Sequence, residues 1–453
     1  MATKKTTQKT KKAAVKKPAA KKKAAPKKPA VKKAAAKKKA APPSPSFQKS
    51  EELFLRVAKV APGAIYGHQS PALTVPGSFP YFATHGKGAY YWDVDGNRYI
   101  DYLCAYGPMV TGYANPVVEK AAQAELNGGN CFNHPSELLV LMAEKLVDLI
   151  PFADWAVFAK NGSDVTTWAT RVAREHTGRR KIVMVRSEYH GAHAWCDPGH
   201  GGQIPEDRAH NLYFTWNRLD ELQSLFAKHG DDIAGVIMTP FHHPAFADLE
   251  LPAPGFWQGV RKMCDDHGTV LILDDVRCGF RLDLRGSNYY FGFEPDISCY
   301  CKAIANGYPL SAAVGRNELK NAASRVFLTG SYWNSVASMA AALVNIDYLA
   351  KIDGIAKMAH IGQMLMDGLV ERGKAFGYEM KPTGPPAIPF IRFAKENNFM
   401  RFQVFCSEMV KRGHFFHPHH NWFMSTAHTD KDVNKTLAAS EEAFAIVKKQ
   451  FAD

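Results

Sequence analysis

A single lysine, Lys302, stands in the stretch "ISCYCKAIANGYPLSAAVG" (297–315), between Cys301 and Ala303 and among small and apolar residues. A cation so placed snorkels to water, pairs with an acid, or is held neutral for chemistry. Suitable acids end another apolar run: "TVLILDDV" sets Asp274 and Asp275 directly behind Val270, Leu271, Ile272 and Leu273. A carboxylate at the end of a buried strand needs a partner, because leaving it unpaired is costly. Two partners suit Asp274: Lys302 in a structural ion pair, or a nitrogen of a bound cofactor. After "AVFAK", Asn161-Gly162-Ser163-Asp164 opens a helix. Backbone amides there, free of a Cβ at Gly162 and joined by a serine hydroxyl, make an anion site on a helix N-terminus, although the same residues also serve as an ordinary cap. Tyr189-His190-Gly191 follows "KIVMVRS" and puts an aromatic ring at a strand end.

The elements that must position these groups alternate along the chain. "GAYYWDVDGNRYIDYLC" reads as a hairpin about Asp95-Gly96-Asn97, followed by a helix started by Asn115 and Pro116. "DWAVFAK", "KIVMVRS", "IAGVIMTP" and "TVLILDDV" read as strands. "SDVTTWATRVAREHTG" and "FWQGVRKMCDDHG" read as helices closed by Gly178 and Gly268. Strands fed by helices, with near-continuous Val/Ile/Leu runs, predict a largely parallel sheet covered on both faces. Beyond about residue 340 the pattern is helical, with "IRF" and "WFMSTA" as strands of a smaller layer. The expected organisation is a basic tail at 1–46, a first part of a small α+β domain at 47–115, a large α/β domain at 116–335, and the rest of the small domain at 336–453. In open parallel sheets, ligands bind beyond the carboxyl ends of the strands.

The formal charge of +14 over 453 residues conceals a sharp division. Residues 1–46 hold 17 lysines and no Asp, Glu or Arg, which leaves 14 − 17 = −3 for the remainder. The Lys/Ala/Pro tail has too little apolar area to offset ordering entropy and is expected to be disordered, linker-histone-like in charge density and attractive to nucleic acid or other polyanions. The leader lacks the apolar core of a secretory signal and the arginines of a mitochondrial presequence. Eight scattered cysteines without a CxxC pair read as reduced thiols, and no apolar run is long enough to span a membrane. A cytoplasmic protein is expected, with nucleoid or nuclear association through the tail. The histidine pairs at 242 and within "HPHH" at 417 lack an accompanying helix-borne Glu or cysteine pair, so no metal is expected.

Four stretches taken together, "WDVDGNRYIDYLCAYGPMVTGYANP", "KNGSDVTTWATRVAREHTGRRKIV" with its following "YHG", "LILDDVRCGFR" and "KAIANGYPLSAAVG", resemble the class III aminotransferases of fold type I. Within that family the chain is most similar to the subgroup around glutamate-1-semialdehyde 2,1-aminomutase. The resemblance spans about residues 50–450 and implies pyridoxal 5'-phosphate as cofactor. It implies that Lys302 forms the internal aldimine, that Asp274 pairs with the pyridinium nitrogen, and that Val276 and Tyr189 flank the ring. Gly162, Ser163 and Asp164 fall on the phosphate turn. Gly330 and Ser331 align with the turn through which a neighbouring subunit completes that site, so the resemblance implies a homodimer.

The departures bear on substrate. The aminomutase arginine that holds a substrate carboxylate aligns with Leu73 in "SPAL", where Ser70 is kept. The late region of the pocket carries "HPHHNW", so Ser70, Tyr106, His417 and His420 are the expected substrate-facing residues. The leading expectation is an aminotransferase acting between an amino donor and a keto or aldehyde acceptor. An intramolecular aminomutase and an amino-acid racemase or epimerase share the same chemistry. The reading from another class is a polyanion-binding protein acting through its tail.

Overall fold

The first hairpin is tied by one carboxylate. Asp93 accepts from the backbone N–H groups of Asp95 (3.0 Å) and Asn97 (2.8 Å), from the Asn97 side chain (2.8 Å) and from the Tyr99 hydroxyl (2.7 Å). Gly96 takes the left-handed backbone the turn requires, with φ +86°. In the computed structural model, which describes residues 45–199 and 201–451, this turn joins β2 (Tyr90–Asp93) to β3 (Arg98–Asp101). A strand missing from the expected set, β1 (Ala83–Lys87), pairs antiparallel with β2. The Asn115 side chain accepts from Val117 N (3.0 Å) and starts the helix Pro116–Leu126, as its sequence predicts. The expectations for the tail lie outside the described residues up to position 44.

The main sheet has seven strands: β4 (Trp155–Ala159), β5 (Lys181–Val185), β6 (Asn211–Phe214), β7 (Ile233–Met238), β8 (Val270–Asp274), β9 (Ile297–Tyr300) and β10 (Ser311–Gly315). Their order is β4-β10-β9-β8-β7-β5-β6, and only β10 runs against its neighbours. β7, β8, β9 and β10 are buried throughout, which explains their unbroken apolar runs. The helices Gly162–Thr177 and Phe256–His267 end on Gly178 and Gly268, both left-handed, as predicted.

A two-stranded sheet, β11 (Met380–Thr383) with β12 (Phe390–Phe393), and the short β13 (His414–Phe415) complete the strands. β13 lies parallel on β3, so one four-stranded sheet draws on residues near both ends of the described chain. The described residues cluster as one compact unit. The segment "WFMSTA" is extended but not a strand. Trp422 and Met424 donate backbone N–H groups to Pro389 and Ala387, whereas Phe423 and Thr426 donate to Tyr102 and Val110, so successive residues bond different neighbours and no ladder forms. Among the described residues, no helix is long and apolar enough to cross a membrane.

Candidate active site

Asp274 ends β8, and its partner is an imidazole. His190 Nδ1 lies 2.7 Å from Asp274 Oδ2, and its Nε2 lies 3.4 Å from Glu188 Oε2. All three side chains are essentially sealed from solvent. Glu188 is anchored in turn by Thr239, whose hydroxyl donates at 2.5 Å and whose backbone N–H donates at 3.2 Å. Burial alone would depress the imidazole, but the carboxylates on either side outweigh it and hold the His190 pKa up at about 9. His190 is therefore an imidazolium between two acids at neutral pH, and its contact fixes the orientation of the Asp274 side chain.

The adjacent acid has a different task. Asp275 Oδ2 accepts the backbone N–H of Ser287 (2.8 Å), and burial raises its pKa to about 7. The Asp-Asp pair thus divides into one group facing the site and one tying the following loop.

Lys302 sits just past β9 with φ +49°, a left-handed conformation that costs a lysine about 1–2 kcal/mol. The ion pair with Asp274 does not form: among the described residues Lys302 has no salt bridge. Burial, followed by the charge of Arg277, lowers its pKa to about 8. Its stem passes beneath Gly107, where a Cβ would lie 3.4 Å from Lys302 Cδ and 3.2 Å from the Phe423 ring. Asn306, also left-handed, locks the following turn by accepting from Thr111 N (2.9 Å) and donating to Gly112 O (2.9 Å).

The phosphate-type turn is built by close approach. A Cβ on Gly162 would fall 2.8 Å from Val276 Cγ1, and one on Gly191, whose φ is +134°, would fall 2.5 Å from Ser163 Oγ. Ser163 Oγ accepts from Ala192 N (3.0 Å), and the Thr166 hydroxyl donates to His190 O (2.7 Å). The first helical turn and the loop carrying Tyr189 are therefore stitched together, with helix N–H groups that have no intrahelical acceptor. Asp164 turns its carboxylate back onto Asn161 N (2.8 Å), which makes it a cap. Tyr189 is 45 % exposed. Gly330 and Ser331 lie before the helix Val336–Lys351, and no hydrogen bond joins either to the Lys302 site among the described residues.

The mouth is made of irregular backbone. Cys104, Ala105 and Tyr106 are three consecutive left-handed residues without a glycine among them. The Tyr106 hydroxyl donates to the His68 carbonyl, and its ring meets His68 at 4.4 Å, His420 at 5.2 Å and His417 at 6.0 Å between centroids. Burial drives the His417 pKa down to about 3 and His420 well below its ordinary value, so both imidazoles are neutral. Ser70 uses its hydroxyl locally, accepting from Ala72 N (3.4 Å). Below the mouth, the fully buried Arg281 donates to the carbonyls of Gly107 and Met424 and lies under the Phe423 ring.

Sequence reading missed Glu188 and Arg277 and gave His190 no role. Arg277 had a signal: it is a third charge only three positions after Asp274, inside a buried stretch.

Residues 74–380 match the family model for aminotransferase class III. The chain belongs to that family. The aminotransferase is 41 % identical over 404 residues to an aminopentol aminotransferase of Sphingopyxis macrogoltabida, which covers 89 % of this chain and 96 % of that protein. It is 33 % identical over 429 residues to a glutamate-1-semialdehyde 2,1-aminomutase of Syntrophobacter fumaroxidans, covering 88 % and 98 %. The FumI protein of Sphingopyxis sp. MTA144, solved as its pyridoxal phosphate internal aldimine, superposes with a TM-score of 0.88 at 41 % identity, covering 90 % of this chain and 98 % of that one. The aminotransferase is thus a pyridoxal phosphate enzyme of fold type I. Its residues fit the group: a buried carboxyl group held by His190 at one end, a helix N-terminus cleared by Gly162 and Gly191 at the other, and a lysine of lowered pKa between strand and turn.

Proposed function

We propose that this aminotransferase moves an amino group from an amine donor to a keto or aldehyde acceptor, with Lys302 as the residue that carries the cofactor and moves the proton. The observation that supports this most is a half-buried lysine with no salt bridge among the described residues and a pKa lowered to about 8, within the field of an Asp274 held by His190. Bound pyridoxal phosphate supplies an electron sink that acidifies the carbon bearing the amino group. Asp274 would hold the proton on the ring nitrogen of the bound cofactor, and the His190 imidazolium keeps the Asp274 side chain oriented. Val276 and Tyr189 would flank the ring, and Gly162 and Ser163 would offer backbone N–H groups to the phosphate. A Lys302 amine with this pKa is free of its proton often enough near neutrality to accept one from carbon and return it to the neighbouring atom. The neutral rings of Tyr106, His417 and His420 line the donor side. An amine carried on a polyol, as in the substrate named for the Sphingopyxis macrogoltabida relative, suits a mouth of neutral hydrogen-bonding rings.

Borohydride treatment of the holoenzyme followed by peptide mapping tests the assignment. Label on Lys302 is expected, and label on another lysine overturns it. Release of a free oxo product separates transamination from the intramolecular aminomutase reaction.

A homodimer fits the exposed aromatics Phe327 (75 %) and Tyr332 (66 %) on either side of Gly330-Ser331. Light scattering at twice the monomer mass is expected. The 17 lysines of residues 1–46 are assigned to non-specific polyanion binding within a cytoplasmic setting. Deleting them should abolish heparin retention without lowering turnover, and retention by the truncated protein would refute the assignment.

A further inference from the structure

Arg277 carries a charge that the protein leaves unspent. Its Nη1 donates to His243 O (3.0 Å) and to Asn421 Oδ1 (2.7 Å), and Asn421 is itself oriented by donating to Trp422 O (3.0 Å). Both acceptors are neutral. Among the described residues Nε and Nη2 have no hydrogen-bond partner, and neither is among the polar atoms sealed from solvent. The acids within its field, Asp274 and Glu188, are engaged elsewhere, with His190 and Thr239. A half-buried guanidinium with one edge pinned and the other open is a fork waiting for an anion.

The position of the fork is informative. The arginine that holds a substrate carboxylate in the related aminomutases has given way to Leu73, on the wall formed by residues 67–73. Arg277 bonds Asn421, the neighbour of His420, and the His420 ring meets Tyr106, which meets His68, so Arg277 adjoins the residues of that wall. His420 at the mouth feels the charges of Arg277 and Lys302. The cation lost from one side of the cavity is present on another, close to the reacting lysine.

We propose that Arg277 is the residue that binds the carboxylate of the oxo-acid substrate. The proposal rests on the aminotransferase reading of Lys302. One guanidinium edge takes the carboxylate in two parallel hydrogen bonds, while Asn421 and the His243 carbonyl hold the other edge still. Amine donors without a carboxylate then bind through the neutral rings of the mouth, and the two substrates of one site are told apart by charge.

The test loads the holoenzyme with the amino form of its cofactor and follows the cofactor absorbance after mixing with pyruvate or with propanal, which has the same number of carbons and no carboxylate. In Arg277→Met the ratio of the pyruvate rate to the propanal rate should fall about 30- to 100-fold, the size of a lost charge-assisted pair. Arg277→Lys, which keeps the charge but not the fork, should recover part of the ratio. The ratio is internal to each preparation, so partial misfolding does not affect it. An unchanged ratio overturns the proposal, and a shifted pH midpoint of the resting chromophore alongside it would give Arg277 to the ring oxygen of the cofactor. If the wild type reacts with neither acceptor, the aminotransferase reading itself fails.

Discussion

The carboxyl ends of the main sheet and the loops that roof them build one cavity by opposite means. Below, Asp274 and the Glu188–His190 pair extend from fully bonded strands, and Lys302 follows β9 by two residues. Above, Tyr106, His68, His417 and His420 sit on backbone without a ladder, in part in left-handed conformations. The lower half holds charges whose proton affinities must be fixed, which demands rigid, sealed surroundings. The upper half holds neutral rings whose shape alone matters. Charge and neutral shape are thus assigned to different kinds of backbone, and substitutions should divide accordingly.

The largest expected effect lies below. Lys302→Ala should lower turnover by more than about 10⁴-fold, the upper range for loss of a proton carrier, while the melting temperature stays within a few degrees. Turnover within tenfold of wild type would dissolve the distinction.

Asp274→Asn should cost about 10²–10³-fold in kcat, since an amide cannot hold the ring nitrogen protonated. Asp275→Asn should leave kcat within about threefold and instead change stability. Its carboxyl is raised to about 7, so the folded state binds a proton more tightly than the unfolded state. Stability from this group is present below the ordinary carboxylate range and is lost as pH rises toward 7. The Asn variant should therefore gain about 2–3 kcal/mol over wild type at pH 8 and little at pH 4, read by denaturant unfolding at both values. Equal kinetic losses from the two substitutions would mean that the acids are not divided.

Glu188→Gln is expected to act through pH. With both carboxylates present, His190 stays charged up to about pH 9. With one removed, its affinity falls toward an ordinary imidazole, so a limb that declines with rising pH should enter the kcat profile between about pH 6.5 and 8. A profile superimposable on wild type would reduce Glu188 to a packing residue.

The smallest effect lies above. Ala105→Gly should raise stability by about 1 kcal/mol by relieving one left-handed residue, with kcat within about twofold. A loss of stability would show that the turn is not strained.

Much of the lower half was legible because strands, helix caps and glycine C-caps announce themselves locally. Asn115, Gly178, Gly268 and the Asp274-Asp275 pair each carry a signal within a few residues. Asp275 required the structure, since nothing local reveals that its acceptor duty is to Ser287. Arg277 and Glu188 escaped because their meaning depends on which neutral or charged groups arrive from β7 and from residues 417–421. The strand expected at "WFMSTA" failed for a related reason: its apolar run is real, but it is buried between two neighbours rather than against one.

Arg281 bears on how the chain is assembled. Its guanidinium is bonded to carbonyls 174 residues earlier, at Gly107, and 143 residues later, at Met424. A nascent chain that has emerged only as far as the main sheet would have to bury that cation with half of its acceptors still unsynthesised, a cost of several kcal/mol. The sheet should therefore remain loosely closed on that side until the segment around Met424 leaves the ribosome. The catalytic floor and the selective roof would then become rigid in the same late event, and a chain truncated before Met424 should fail to form a sealed site even though every residue of the floor is present.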